Sequence, residues 1–439
     1  MASSITKGPL LRIVTARGYS QVAPVNGIAN YDLKTTTLTN KLVVVAAENE
    51  SALTRISVTF RAGSRYETSD NLGAVHVIRT AAGLSTKNAS QFAIIRNIQQ
   101  VGASLTATAD RETISYTLEG TRKAVEQVLP FLKEVATEQV FKPWELSELG
   151  DRLKIDLAVR PLQLRALDLL HKAAYRTGLG NSQFVPKFQI GKLSCETLQH
   201  YVANTFTSSR AAVVGFGIDS SSLTQFAQSL NLEPNEGVSN PSPYKGGEIR
   251  SDKGGDFAFV AIAGEGAAVN NPKEALAAAV LQNVLSAGPQ LKWSTNDNGV
   301  IPRALGGTDG YSVRGINASY KDTGLVGILL AVPAKSAKKI VPGAVNAFKS
   351  ASVTDADVNR GKNLLKTSLL SELESGSTAA QVYGAQAALT GTALSAEEVA
   401  SVVDSVSASD VNSVLQKARK NISIASVGNL ADVPYADDL

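Results

Sequence analysis

The chain has 439 residues, 44% of them hydrophobic and 19% charged, so length alone allows two or three domains with sizeable cores. No run of about 18 apolar residues occurs, which predicts no spanning helix. The single cysteine, Cys195, excludes an internal disulfide and a cysteine-built zinc or iron–sulfur site. The net charge is +4, but Lys7, Arg12 and Arg17 precede the first acidic residue, Asp32; beyond residue 19 the chain carries 40 basic and 39 acidic residues. A near-neutral body offers no basic face for nucleic acid.

Residues 1–19 hold Lys, Arg, Ser and apolar residues without Asp or Glu, the composition of a mitochondrial targeting peptide that is removed. Arg12 interrupts the apolar piece Pro9–Val14, which argues against a secretory signal. Arg17-Gly18-Tyr19-Ser20 is similar to the sequence at which matrix peptidases cut, placing cleavage between Tyr19 and Ser20. Residues 20–29, with Pro24, Asn26 and Gly27, read as an unstructured lead-in.

Residues 30–233 form the first half. Thr35–Leu38 and Leu42–Ala46 read as strands turned at Asn40-Lys41, and Arg55–Phe60 alternates as a half-buried strand does. A helix through His76 follows, with Leu72, Val75, Ile78 and Ala82 on one side. Next comes a helix over Gln91–Val101 with Phe92, Ile95 and Ile98 on one face. Strands at Ser104–Thr108 and Glu112–Leu118 turn at Asp110-Arg111, and helices are predicted at 121–138, 143–158 and 162–176. Ser194 caps a helix to Phe206. A buried strand, Ala211–Gly217, then leads to a helix over Ser220–Leu230. Gly215 and Gly217 lack the third glycine of a dinucleotide fingerprint, so they read as a strand-end turn.

Residues 234–247 lack periodicity and make a linker. The order of elements then repeats in residues 248–439. Phe257–Ala263 is a strand, Pro272–Leu285 a helix, and Tyr311–Tyr320 with Leu325–Val332 a strand pair. Helices fill 336–350 and 355–374, shorter ones follow between 377 and 418, and Ile422–Val427 is a closing strand. The region 286–310 is polar and glycine-rich without a phosphate-cradling motif, and reads as a mobile loop lying against the other half or a partner. Each half is therefore α+β, an antiparallel-leaning mixed sheet covered by helices, and the repeated order points to a duplicated domain.

The candidate chemistry lies in His76-Val77-Ile78-Arg79-Thr80. A helix with His at i, Glu at i+3 and His at i+4 holds zinc on one face and uses the Glu to activate water. Here the first His is present, while Arg79 takes the Glu position and Thr80 that of the second His. A guanidinium stays protonated and repels zinc, and Thr80 has no imidazole. His171 and His200 lack the paired spacing, and Cys195 with His200 at i, i+5 diverge on a helix. His76 is read as a hydrogen-bonded or surface residue, Cys195 as a small, partly buried residue opening a helix. No catalytic residue, metal ligand or cofactor is expected.

The chain resembles the pitrilysin-type, mitochondrial processing peptidase family. The stretches that carry the resemblance include Ala62–Glu67 followed by Asn71-Leu72-Gly73, Leu84–Lys87, Leu153–Asp156 and Ala173–Arg176. Further on they are Ile190-Gly191-Lys192, Gly246–Arg250 and Ala318–Leu325. The resemblance implies two related domains, 30–233 and 248–439, joined by a linker and closing around a cavity. Active members carry zinc on H-x-x-E-H plus a distal glutamate on a later helix; only His76 matches. Glu145, Glu148 and Asp156 stand in the distal region without a fixed register. The resemblance is nearest to the family's core-protein branch, non-catalytic subunits of the respiratory ubiquinol–cytochrome c reductase. It implies a peripheral place on the matrix side of the mitochondrial inner membrane. The implied partners are the other core protein, cytochrome b, the c-type cytochrome and the iron–sulfur subunit, in a hetero-oligomer within a dimeric complex. The α subunit of the processing peptidase and an active zinc metallopeptidase are the alternatives. The scattered glycines of 286–310, broken by Trp293, Pro302 and Arg303, depart from the dense glycine run of that α subunit.

Overall fold

A computed structural model describes residues 33–48, 51–237, 241–288, 299–306 and 310–439. The expected targeting peptide, its Tyr19–Ser20 bond and the lead-in lie outside the described residues. The described chain builds two mixed sheets. The first holds β1 (Leu33–Thr37), β2 (Val43–Ala47), β3 (Leu53–Phe60), β4 (Ser104–Ala109), β5 (Ile114–Thr121) and β6 (Ala211–Phe216). The second holds β7 (Gly247–Asp252), β8 (Phe257–Glu265), β9 (Ser312–Ser319), β10 (Gly324–Pro333) and β11 (Ser423–Gly428).

The two sheets share one topology. Their orders are β1-β2-β6-β3-β5-β4 and β7-β11-β8-β10-β9. In the first sheet the last strand, β6, inserts between β2 in parallel and β3 antiparallel, and in the second the last strand, β11, inserts between β7 in parallel and β8 antiparallel; the remaining pairs are antiparallel. Five strands therefore correspond one to one, with β1 an added edge. This is the α+β duplication that the element order predicts.

Fourteen helices are described. In the first half they are α1 (Ala74–Thr80), α2 (Gln91–Gln100), α3 (Arg122–Thr137), α4 (Pro143–Val159), α5 (Leu162–Tyr175), α6 (Cys195–Thr205) and α7 (Ser220–Ser229). In the second they are α8 (Pro272–Leu285), α9 (Val300–Leu305), α10 (Ala337–Ser350), α11 (Asp355–Glu374), α12 (Gly376–Thr390), α13 (Ala396–Ser405) and α14 (Ala408–Arg419). Serine, threonine and asparagine caps start several of them. Ser194 accepts the Thr197 N–H at α6, and Thr354, Ser395 and Ser407 form capping boxes at α11, α13 and α14.

Each half lends a helix to the other. Helix α5 lays Ala166, Leu170, Ala174 and Tyr175 on the second sheet, against Ala261, Ala263, Ala425 and Val427. Helix α12 lays Ala379, Ala380, Tyr383 and Ala387 on the first, against Val43, Val45 and Val214. Small residues at both contacts let backbone approach backbone; a Cβ on Gly384 would come within 2.4 Å of Thr59 Oγ1.

Two expectations are corrected. β3 alternates apolar and polar residues, yet Ser57 and Thr59 are as fully buried as Ile56 and Val58, because α12 covers the polar face. Their hydroxyls are satisfied across the sheet, Thr59 with Ser115 at 2.9 Å and Thr117 donating to Ser57 at 3.0 Å. On α2 the core face is Ile94 and Ile98, while Phe92 and Ile95 are exposed; the i, i+4 pair wins over the i, i+3 stripe.

Two elements were not visible in the sequence. β7 is an edge strand written mostly in charged and polar residues (Glu248, Arg250, Ser251), so it lacks an alternation signal. Within 286–310, the described part contains α9, which packs on α8 and α10 of its own half. Arg303 there reaches Asp357 at 2.7 Å, so α9 is docked on its own half, while 289–298 and 307–309 of the expected loop lie outside the described residues.

Candidate functional site

Helix α1 is short and its position is set by its start. Gly73 has φ 87°, and a Cβ there would lie 2.5 Å from Val185 Cα, so only glycine allows the left-handed turn and the close approach together. The buried Glu67 carboxyl group accepts the N–H groups of Gly73 at 2.8 Å and Val75 at 2.9 Å. Burial pushes its pKa up to about 8, against the pull of those two donors. The segment 181–189 lies across the helix. Asn181 donates to the carbonyls of Ser64 and Glu67, and Gln189 to that of Asp70.

His76 is buried, 1% exposed, and both ring nitrogens are used. The Val185 N–H donates to Nδ1 at 3.2 Å, which leaves the proton on Nε2, donated to Asp156 Oδ2 at 3.3 Å. Burial first, and then the charge of Arg79, lower its pKa to about 4, so it is a neutral imidazole near pH 7. Phe184 meets it edge-on at 5.4 Å, and the Arg160 guanidinium lies 4.6 Å over that phenyl ring.

The two replaced positions are occupied by other work. Arg79 Nη2 lies 3.5 Å from Asp156 Oδ2, the oxygen that His76 also addresses. Thr80 turns its hydroxyl back to the His76 carbonyl at 2.8 Å. Of the three distal carboxylates, only Asp156 reaches α1. Glu145 is held by the Ser85 N–H and hydroxyl at 3.2 and 2.5 Å, and Glu148 is exposed on α4.

The residues do not fit zinc. One imidazole nitrogen and one carboxylate face each other beside a fixed cation, and four ligands of N, O or S are what a tetrahedral site requires. Among the described residues no group of three or more His, Cys, Asp and Glu is placed to hold a metal. The other candidates are apart from this locus. His171 is buried, donating from Nδ1 to the Leu167 carbonyl and accepting the Tyr320 hydroxyl at Nε2, both at 2.7 Å. His200 is exposed beside Asn204. Cys195 is the half-buried first residue of α6. Gly217, with φ 66°, turns the chain after β6 and donates its N–H to Ala47.

A model of the insulinase family, peptidase family M16, matches residues 42–187, and a model described as the peptidase M16 inactive domain matches 192–365. The chain is 38% identical over 421 residues to cytochrome b-c1 complex subunit 2, mitochondrial, of Mus musculus, covering 93% of this chain and 92% of that one. It is 38% identical over 418 residues to the subunit of the same name of Homo sapiens, covering 93% and 92%. Mitochondrial-processing peptidase subunit alpha of Solanum tuberosum is 27% identical over 418 residues, covering 92% and 83%.

The chain belongs to peptidase family M16.

Within that family it is a non-enzymatic member, and the site's chemistry gives the physical reason. The water-activating position is a guanidinium, and the imidazole that remains is saturated by hydrogen bonds. The sequence reading named His76, Arg79 and Thr80 but missed how tightly Val185 and Glu67 hold their helix. Gly73, a glycine just before a helix start, was the available signal.

Proposed function

We propose that this chain is core protein 2, subunit 2 of the cytochrome b-c1 complex, the ubiquinol–cytochrome c reductase of the respiratory chain. In this reading it is a non-catalytic scaffold needed for assembly and stability of the complex that passes electrons from ubiquinol to cytochrome c. It sits on the matrix side of the mitochondrial inner membrane, and residues 1–19 are its targeting peptide, cut between Tyr19 and Ser20. It pairs with core protein 1 and supports cytochrome b, the c-type cytochrome and the iron–sulfur subunit. A peripheral position accords with the described residues, in which no helix is long and apolar enough to cross a membrane.

The observation that carries the reading is the gap between relatives of one fold. Identity to cytochrome b-c1 complex subunit 2 of mouse, rat and human is 37–38%, against 27–28% to plant processing peptidase α subunits, over the same 92–93% of the chain. Native electrophoresis of detergent-solubilised mitochondrial membranes tests it. The chain is expected to migrate with cytochromes b and c; recovery as a haem-free heterodimer that cleaves presequences would assign it to the processing peptidase instead.

A further inference from the structure

Among the described residues, the exchange of helices leaves one part of the second sheet uncovered. Helix α5 lies over β11, β8 and β7, and beside it the face of β10 and β9 is open as a pocket of about 560 Å³. That volume lies within the range of single-ligand sites. Strand alternation puts Ile316 and Ala318 of β9, with Leu325 and Leu329 of β10, on its floor. Leu164, half exposed, and Leu167 of α5 form its wall.

One group breaks this apolar lining. Arg314 lies on the same face of β9 as Ile316 and is exposed at the pocket's rim. Among the described residues lining the pocket it is the only formally charged one, since His171 at the back is buried and bound to Tyr320. No carboxylate among the described residues pairs with Arg314, whereas Arg65, Arg111, Arg250 and Arg303 each have one. A rim guanidinium with no anion, over a floor of aliphatic side chains, is complementary to a head-and-tail molecule. The planar fork matches a carboxylate in two-pronged fashion, and the floor matches an alkyl chain.

The geometry points to a binding site for a fatty carboxylate, with its head on Arg314 and its chain along the β9–β10 face against α5. The site shares no lining residue with the His76 locus.

Titration calorimetry of the purified full chain with dodecanoate, below its micellar concentration, tests this. One saturable site is expected, with dodecanol binding at least tenfold more weakly because it lacks the charge. Arg314→Gln should weaken dodecanoate binding at least tenfold and leave dodecanol unchanged, and Arg314→Lys should fall between. Ala331, on the same face of β10 as Leu329, also lines the pocket, and Ala331→Phe, which fills it, should abolish both. Arg314 is exposed, so its variants should keep the wild-type unfolding midpoint, and that midpoint is measured alongside. The assignment is overturned by non-saturable binding, by equal affinity for dodecanoate and dodecanol, or by affinities that none of the three variants changes. Tenfold tighter binding of a leucine-rich peptide through its terminal carboxylate would also overturn it, in favour of a peptide.

Discussion

Arg65 Nη2 lies 2.5 Å from Asp322 Oδ2, joining the turn after β3 to the β9–β10 hairpin across 257 residues. The same guanidinium meets Glu112 Oε1 at 2.6 Å, and Glu112 accepts the Lys321 N–H at 3.1 Å. Both Arg65 and Glu112 are almost fully buried, while Asp322 is more than a third exposed. Removing one partner of a buried pair leaves the other charge without compensation. Arg65→Met should therefore cost about 3–5 kcal/mol in urea unfolding, and Asp322→Asn about 1 kcal/mol or less, because water can replace it. Equal losses would mean that Glu112 does not need the guanidinium.

The exchanged helices make the halves dependent on each other. A fragment of residues 31–235 would expose the Leu170 and Tyr175 face of α5 and leave Ser57, Thr59 and Val214 uncovered by α12. Residues 246–439 would lack α5 over Ala261 and Ala425. Each fragment expressed alone should lack a near-ultraviolet circular dichroism signal, and co-expression should restore it. Tyr383→Ala in the intact chain should lower stability by about 3–5 kcal/mol, as for other buried aromatics. Either half showing a cooperative unfolding transition by itself would contradict this.

The sequence is legible where one face of an element decides its environment. Ten of the eleven described strands, the limits of Pro272–Leu285 and Asp355–Glu374, and the loss of the zinc ligands could all be read from residue type and spacing. What could not be read depends on residues far along the chain. Ser57 and Thr59 look solvent-facing until α12, over 300 residues later, covers them. Asp156 is one of four carboxylates on α4, and only the crossing of α4 with α1 selects it. Arg65 and Asp322 both lie in stretches that carry the family resemblance. Their contact, however, depends on how the halves close, which no local pattern encodes.

His76 gives the protein an acid-sensitive element. Its pKa in the fold is about 4, below the ordinary 6.5, so the unfolded chain binds the extra proton first as pH falls. The stability it contributes is full above pH 6.5 and lost progressively between about 6.5 and 4, up to about 3 kcal/mol. His76→Asn should be less stable than wild type at pH 7, and the gap should shrink as pH is lowered through that window. Urea midpoints measured at half-unit pH intervals give the difference curve, and a gap constant from pH 7 to 4 would rule out the protonation account.

Glu67 acts in the opposite direction. Its pKa in the fold is about 8, above its ordinary 4.5, so its stabilising protonated form is fully present below 4.5 and lost as pH rises through 8. Glu67→Gln keeps a neutral side chain at all pH values. The variant should gain stability relative to wild type between pH 4.5 and 8, with the largest relative gain on the alkaline side. Because the single amide oxygen of that variant can accept only one of the Gly73 and Val75 N–H groups well, a fixed offset of about 1 kcal/mol should remain. Urea midpoints of both proteins across pH 4–9 check this, and a difference that does not change with pH would show that Glu67 does not titrate in the fold.

The retained geometry around His76 can be tested by rebuilding the missing ligands. Val185 occupies Nδ1 and leaves Nε2 aimed at α4, so the nitrogen that would meet a metal is already oriented. The variant carrying Arg79→Glu, Thr80→His and Asp156→Glu supplies two imidazoles and two carboxylates on two adjoining helices. Without zinc it places two negative charges together and removes the Thr80 bond to the His76 carbonyl, so it should melt below wild type. With zinc at about 100 times its dissociation constant it should regain roughly 2.7 kcal/mol, reversed by a chelator. The wild-type melting temperature should not respond to zinc at all, because Arg79 repels the ion and His76 offers the sole imidazole. If the triple variant gains no stoichiometric zinc while still folding, α1 and α4 lie too far apart for a shared metal, and the change from an active site is deeper than three side chains.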